Sequence, residues 1–314
     1  MGIHDYYKEK YGKDSKFLAY GADLIIKSAN GYGKDNYSSM RIQIEENASV
    51  TLTLDGAYMD ASAIPYISAP ILIPENSTGN VNIILKGENG LKAGNYYAAI
   101  QKNGDAENIG TLTISGDGSL MAAGGYNAAG VGSSDGKPVK NIVISSGIIT
   151  ATGGVYGAGI GGGDRGTASN ITISGGTITA TGGNNGAGIG GGGYAGMGIG
   201  ITISGGTVTA LSTADNASCE GYGIGSGWGA NDDSTPTVTG GNIKVNKLCG
   251  IQGKDGDEPY EAYLARADLL LLAGKNAVVG NPVLQTYNKK TGETKTLSYN
   301  LKDVCTMEDG YLYM

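Results

Sequence analysis

The stretch ITISGGTITATGG, from Ile171 to Gly183, recurs from Ile201 as ITISGGTVTAL. Two clear relatives precede it, IVISSGIITATGG from Ile142 and LTISGDGSLMAAGG from Leu112, so successive copies are 30, 29 and 30 residues apart. Fainter copies bring the number of starts to seven, at positions 52, 83, 112, 142, 171, 201 and 236. A fixed period of this length predicts stacked structural repeats that share one continuous core.

Apolar residues and threonines alternate within each copy, and a Gly-Gly or Ser-Gly pair breaks the alternation. Alternation with period two predicts short strands, and helical spacing is absent. The sequence therefore predicts an all-β parallel solenoid of about seven coils. We expect inward residues to stack on the next coil and threonines to face outward. The inward set is Ile171, Ile173 and Ile178 under Ile201, Ile203 and Val208, and the outward set is Thr177, Thr179 and Thr181.

A second, glycine-rich motif keeps the same period. The strings AAGVG, GAGIGGG, GAGIGGGG and GYGIGSG centre on Val131, Ile160, Ile189 and Ile224, and fainter versions place Ile71, Ile100 and Ile251 in the same column. Glycines at coil corners supply positive φ. Glycine inside a strand marks a close approach of another backbone or of a ligand. The motif thus has two interpretations, a narrow solenoid cross-section or a contact face that could mediate self-association.

Composition excludes several classes of protein. The chain has 57 glycines in 314 residues but only 7 prolines and no three-residue glycine period, so it is not collagen, and 40% hydrophobic residues argue against disorder. The net charge of -7, without a basic patch, predicts no nucleic-acid partner. The longest aliphatic run, Leu269 to Ala273, is too short for a bilayer, so we expect no membrane insertion. The N-terminus has neither the apolar core nor the cleavage site of a secretory signal, so we expect that any export signal was removed or lies upstream.

Shifts in the pattern divide the chain into three parts. We expect an N-terminal cap and first strands over 1–50, a parallel β-helix over 51–256, and a C-terminal β-hairpin cap or the start of a β-sandwich-like unit over 257–314. The hairpin turn is expected at Lys289 to Glu293. The three cysteines, Cys219, Cys249 and Cys305, do not form a disulfide framework.

ITISGGTITATGG followed by GAGIGGG resembles the glycine-rich right-handed β-helix repeats of modular surface and secreted proteins of Gram-positive anaerobes. It is more distantly similar to the pectate-lyase-like superfamily, including its non-catalytic carbohydrate-binding members. The resemblance covers Leu112 to Ile243 closely and implies a right-handed β-helix from an extracellular or cell-surface protein. It implies no single activity, because such a scaffold hosts lyases, hydrolases, binders and adhesins.

An acidic column follows the second motif. Four positions beyond the aligned aliphatic residue stand Glu75, Asp135, Asp164 and Asp255, with Asp105 one position further, while Gly193 and Trp228 interrupt the column. Clustered carboxylates suit calcium, and the resemblance also implies calcium bound by acidic residues of adjacent coils. We name Asp135 and Asp164 as candidate metal ligands. The alternative is that these aspartates serve turns and pair with Lys137, Arg165 and Lys254.

Aromatic residues flank the same motif on several coils. Tyr96 lies beside the candidate carbohydrate-binding residues, which are Tyr97, Tyr126, Tyr156, Tyr194 and Trp228. Aromatic rings on a rigid rod can stack on sugar rings, and the tyrosine hydroxyl adds a polar contact. The alternative is a purely structural stack of rings on the solenoid.

We therefore expect a non-catalytic extracellular or cell-surface module that binds a polysaccharide or cell-surface glycan, or that mediates adhesion. Two alternatives remain, a calcium-dependent lyase-like enzyme acting on polysaccharide and a purely structural stalk. For the enzyme, the only combinations worth naming are Asp164 with Arg165 and Asp232 with Asp233. The sole histidine, His4, lies in a terminal segment, which argues against histidine-based catalysis.

Overall fold

The computed structural model describes residues 23–28, 31–62, 69–213, 221–230, 236–238 and 241–245, together with the backbone of further strands at 16–19, 253–255, 258–263, 283–287, 294–298, 306–308 and 311–313. All regular secondary structure in these ranges is β-strand. Within them no helix is long and apolar enough to span a membrane.

Each coil of the solenoid visits three parallel sheets in turn. Sheet 1 contains the second, glycine-rich motif, and its strands become shorter toward the C-terminus. In spatial order its strands are β1 (Lys16–Ala19), β3 (Arg41–Ile44), β6 (Ile71–Ile73), β9 (Ile100–Lys102), β12 (Val131–Gly132), β15 (Ile160–Gly161), β18 (Ile189–Gly190) and β22 (Ile224–Gly225).

Sheet 2 receives the first half of each ITISGG-type copy, and all seven predicted repeat starts lie in its strands or directly before them. The strands of sheet 2 are β2 (Asp23–Ile26), β4 (Val50–Asp55), β7 (Val81–Lys86), β10 (Leu112–Gly116), β13 (Val139–Ile144), β16 (Ala168–Ile173), β20 (Thr202–Ile203) and β23 (Thr237–Val238), with β19 (Gly198–Ile199) beside β16. The array thus begins one strand before the first predicted start, because β2 pairs in parallel with β4.

Sheet 3 contains the TITATGG-type strands. Its parallel part consists of β5 (Tyr58–Asp60), β8 (Glu88–Lys92), β11 (Ser119–Ala123), β14 (Ile148–Thr152), β17 (Thr177–Gly182), β21 (Thr207–Ser212) and β24 (Asn242–Val245). Two antiparallel strands, β30 (Tyr311–Tyr313) and β29 (Thr306–Glu308), extend it beyond β24.

A separate antiparallel sheet of four strands lies between β24 and β29 in the sequence. Its strands are β25 (Gly253–Asp255), β26 (Glu258–Tyr263), β27 (Val283–Tyr287) and β28 (Thr294–Ser298). β27 and β28 pair as a hairpin, and its predicted turn lies outside the described residues. The predicted fold class, an all-β right-handed parallel β-helix, is confirmed.

Side chains point inward and outward as the alternation predicts. Ile178 stacks on Val208 and Ile173 on Ile203, and all four are essentially inaccessible to solvent. The aliphatic residues of sheet 1 also stack, Ile100 on Val131 and Val131 on Ile160. Thr177 is exposed, and Thr179 and Thr181 are half-buried on the outer face of sheet 3. One continuous apolar core results, which explains how single repeats too small to fold alone become stable together.

The glycines of the second motif lie inside the solenoid. Gly159 is buried, and a Cβ placed there would lie 2.6 Å from the backbone nitrogen of Thr181 in sheet 3. Gly161 has φ +137, and a Cβ there would clash with the carbonyl oxygen of Gly190 on the next coil. Close approach of neighbouring backbones therefore accounts for the motif. Because these glycines are buried, a surface for self-association would have to be sought elsewhere.

Several residues singled out in the sequence lie outside the part whose side chains the structure describes. They are His4, Cys219, Cys249, Cys305, Asp232, Asp233, Lys254, Asp255 and Ile251. The predicted limits of the three domains stay predictions.

Candidate functional site

Four aromatic side chains from four coils form a continuous row, which we call the aromatic ladder: Tyr126, Tyr156, Tyr194 and Trp228. The ring centroids are 5.6 Å apart between Tyr126 and Tyr156, 5.1 Å between Tyr156 and Tyr194, and 5.5 Å between Tyr194 and Trp228. These distances are close to the spacing of roughly 4.8 Å between neighbouring parallel strands. The ladder therefore follows the stacking direction of the coils.

Two different loops supply these rings. Tyr126 and Tyr156 precede the sheet 1 strands β12 and β15, whereas Tyr194 and Trp228 follow β18 and β22. The sequence gives no direct sign that the two loops meet. They meet in the structure because coils stack. The loop that follows a sheet 1 strand pairs with the loop that precedes the sheet 1 strand of the previous coil.

The same backbone hydrogen bond makes this connection on four coils. The donors are the N–H groups four residues after the aligned aliphatic residue, and the acceptors are carbonyl oxygens in the loop of the preceding coil. The four bonds run from Asp135 to Tyr96 (3.2 Å), from Asp164 to Asn127 (2.7 Å), from Gly193 to Tyr156 (2.7 Å) and from Trp228 to Asn185 (2.8 Å). The same backbone bond thus recurs in this column with aspartate, glycine or tryptophan as the donor residue on different coils.

The rings of the ladder are unequally exposed. Tyr126 is 50% exposed and Tyr194 is 44% exposed, whereas Tyr156 and Trp228 are half-buried between their neighbours. The hydroxyl of Tyr156 hydrogen-bonds that of Tyr126 and raises the pKa of Tyr126. Tyr97, also predicted for carbohydrate binding, is half-buried and packs against the hydrophobic core, while its neighbour Tyr96 is exposed. The ladder therefore gathers four of the five predicted residues.

The two predicted metal ligands lie beside the start of the ladder and share a cation. Nη2 of Arg165 lies 2.9 Å from Oδ2 of Asp164 and 3.4 Å from Oδ1 of Asp135. Asn127, the residue after Tyr126, donates from Nδ2 to Oδ2 of Asp135 at 3.1 Å. Asp164 is buried, and its burial raises the pKa of the carboxyl, while Arg165 opposes that rise. Oδ1 of Asp164 and Oδ1 of Asn127 are buried without a hydrogen-bond donor.

This arrangement fits calcium poorly. A calcium ion takes six to eight oxygen ligands, whereas Arg165 already contacts both carboxylates. No group of three or more histidine, cysteine or acidic residues that could hold a metal occurs among the residues whose side chains are described. Of the other acidic positions, Glu75 pairs with Lys137 at 2.9 Å and Asp105 is exposed. Calcium binding at Asp135 and Asp164 stays a prediction, and the observed pairing matches the alternative interpretation of these aspartates.

Sequence reasoning missed a buried lysine in sheet 1. Lys102 is 2% exposed, and its Nζ donates to the carbonyl oxygen of Lys140 at 2.6 Å. Burial, with a smaller effect from Lys140, lowers the pKa of Lys102 to about 8. In the stack of equivalent inward positions of sheet 1, Lys102 lies between Ile73 of the preceding coil and Ser133 of the next coil. This position in the column was the only sequence signal for burial.

Comparison with known proteins supports the repeat region. Four segments match the family model described as a beta helix repeat, at residues 112–135, 142–164, 171–194 and 201–228. No curated protein and no solved structure matches the chain. Each matched segment begins in sheet 2 or directly before it and ends near the loop after a sheet 1 strand. The chain thus contains a β-helix repeat region, and the match identifies no activity.

Proposed function

We propose that the chain is a non-catalytic carbohydrate-binding or adhesion module whose binding surface is the aromatic ladder. The observation that carries the proposal is the continuous row of Tyr126, Tyr156, Tyr194 and Trp228 on four coils. Aromatic faces suit sugar rings, because the C–H side of a sugar packs on an apolar ring while its hydroxyl groups remain available for hydrogen bonds. A glycan partner is consistent with an extracellular or cell-surface location, which is part of the proposal.

Rigidity supports the same function. The backbone hydrogen bonds from Asp164 to Asn127 and from Gly193 to Tyr156 hold the ladder loops before any ligand arrives. A preorganised surface loses little conformational entropy on binding, and tyrosine and tryptophan offer large contact areas with few rotatable bonds. A stalk with a purely structural role would not require rings as exposed as those of Tyr126 and Tyr194.

A glycan array tests the proposal. The wild-type chain should bind at least one glycan, and the double variant Tyr126→Ala/Tyr194→Ala should lose that signal. The matched control is Tyr58→Ala, because Tyr58 forms a similar edge-to-face pair with Tyr37 at 5.4 Å but lies on sheet 3 away from the ladder. Each array is run with calcium and with a chelator. If the wild-type chain binds no glycan under either condition, the binding function is refuted and the structural stalk is favoured.

The lyase-like alternative has one observation in its favour, the contact between Asp164 and Arg165 beside the ladder. A lyase would need a base to take a proton from the sugar ring, and Arg165 is engaged by two carboxylates. Its test is the absorbance of unsaturated uronates during incubation with pectin or alginate. A rise that disappears in Asp164→Ala would support the enzyme, and a flat trace would remove it.

A further inference from the structure

Ring orientation limits how a sugar chain can meet the ladder. The planes of Tyr126 and Tyr156 are turned by 86°, those of Tyr156 and Tyr194 by 53°, and those of Tyr194 and Trp228 by 81°. A flat sugar ring stacked on one side chain therefore meets the next one at a steep angle. An extended chain therefore cannot stack flat on two neighbouring rings of the ladder.

Exposure indicates which rings are used. Tyr126 and Tyr194 are the most exposed members of the ladder, and Tyr156 is half-buried in contact with both. Tyr156 and Trp228 therefore support the exposed rings from the side. The two stacking positions lie two coils apart, or about 9.6 Å along the solenoid, which is close to the length of a disaccharide unit in an extended chain.

Charge indicates the chemical class of that chain. Asp135 and Asp164 share the single cation Arg165, so the cluster beside Tyr126 keeps one net negative charge. The whole chain carries a net charge of -7. The faces of aromatic rings are also electron-rich and attract cations rather than anions. A polyuronate would place carboxylates next to this cluster, where like charges disfavour binding.

We infer that the ladder takes an uncharged, extended polysaccharide chain, parallel to the solenoid axis, with sugar rings on Tyr126 and Tyr194. This inference rests on the proposed function and adds the class and length of the ligand. A ligand that reaches both stacking positions contains at least three consecutive sugars. Disaccharides then occupy one position only and bind more weakly.

The experiment is a length series on an array and by calorimetry. The probes are cello-, xylo-, manno- and chito-oligosaccharides of two to six sugars, and galacturonate oligomers of the same lengths. At least one uncharged series should bind about tenfold more tightly at four sugars than at two, and should gain little from four to six. Tyr126→Ala and Tyr194→Ala should each weaken tetrasaccharide binding about five- to tenfold, because one aromatic contact contributes about 1 kcal/mol. Tyr58→Ala, on sheet 3 away from the ladder, should leave affinity within about twofold of wild type.

The outcomes separate this inference from the proposed function. Binding by uronate oligomers alone, or equal affinity for two and four sugars, would overturn the inference and leave carbohydrate binding intact. Loss of affinity in Tyr58→Ala as large as in Tyr126→Ala would overturn the assignment of stacking positions. The absence of any bound probe, uncharged or charged, would remove the proposed function itself. Circular dichroism of each variant shows that the solenoid is retained.

Discussion

The two halves of sheet 1 occupy the same side of the solenoid but are built differently. In the first half, β6 and β9 have three residues each and point Ile73 and Lys102 inward. In the second half, β12, β15, β18 and β22 have two residues each, and the second is a glycine with φ between 132° and 142°. Both halves keep buried aliphatic side chains in this column, and the second half adds glycines whose backbones closely approach the next coil.

The residue directly before the aligned aliphatic residue of sheet 1 also changes to glycine in the second half. It is Pro70 and Ala99 in the first half and Gly130, Gly159 and Gly188 afterwards. A Cβ at Gly130 would lie 2.8 Å from the backbone nitrogen of Thr152 in sheet 3. The difference shows that glycine in this column narrows the solenoid. The residues of the proposed binding surface lie instead in the loops on either side of the strands.

The largest expected effect comes from adding one methyl group to the narrow half. Gly161→Ala combines a positive φ with a clash against the next coil, and should lower the free energy of unfolding by about 4 kcal/mol or more. Gly136→Ala is the control, because it has φ +67 but no atom within 4 Å of the added Cβ, and it should cost about 1 kcal/mol. Urea unfolding measures both. Equal midpoints would show that backbone approach is not what requires glycine.

A core deletion in sheet 3 should cost slightly less. Ile178→Ala empties a site between Ile149 and Val208 and should lower the free energy of unfolding by about 3 kcal/mol. Thr177→Ala, the neighbouring outward position, should change it by less than about 0.5 kcal/mol. Thermal unfolding by circular dichroism compares the two. A larger loss in the threonine variant would contradict the inward and outward assignment.

Replacing the buried lysine at the boundary between the two halves should stabilise the fold. Lys102→Met keeps the apolar stem and removes the charge, so the free energy of unfolding at pH 7 should rise by about 2 kcal/mol. The pKa of Lys102 is lowered from 10.5 to about 8 in the folded state. Below about pH 8 the folded protein therefore bears the full cost of a buried charge, and the cost disappears above about pH 10.5.

The stability of the wild-type protein should therefore approach that of Lys102→Met as the pH rises from about 8 to about 10.5. Lys86→Met, at an exposed position of β7, is the control for the exchange of lysine for methionine and should change stability at pH 7 by less than about 0.5 kcal/mol. Chemical unfolding at pH 7, 9 and 10.5 provides the measurement. A variant that is less stable than wild type at pH 7 would show that the ammonium group is favourable where it lies.

The smallest expected effect concerns the loops that follow the glycine-rich strands. Arg165→Met leaves Asp135 and Asp164 without their shared cation and should lower stability at pH 7 by about 1 kcal/mol. The loss should be smaller in acid, because burial raises the pKa of Asp164 and a protonated carboxyl no longer needs the cation. Lys137→Met breaks only the exposed pair with Glu75 and should cost less than about 0.5 kcal/mol. Equal losses in the two variants would mean that the burial of Asp164 has no energetic consequence.

Parts of the candidate site could be predicted from spacing and parts could not. Tyr126, Tyr156, Tyr194 and Trp228 were identified by their distance from the aligned aliphatic residues. Their contact in one row depends on two loops that the sequence separates. Tyr97 illustrates the limit, since it packs against the core while the adjacent Tyr96 is exposed. Neighbours in sequence can point in opposite directions in a loop, and no periodicity specifies which one faces solvent.

The sequence by itself determined the solenoid, its period and the stacking of Ile178 on Val208, because alternation along a strand and a fixed repeat are local properties that every coil restates. Only the tertiary structure decided that the glycine-rich column is buried and that one arginine joins two aspartates from successive coils. It also decided that the rings of the ladder alternate in exposure. These features depend on distances between coils. Side-chain volume and the close approach of backbones set those distances together, and the sequence of a single repeat does not specify them.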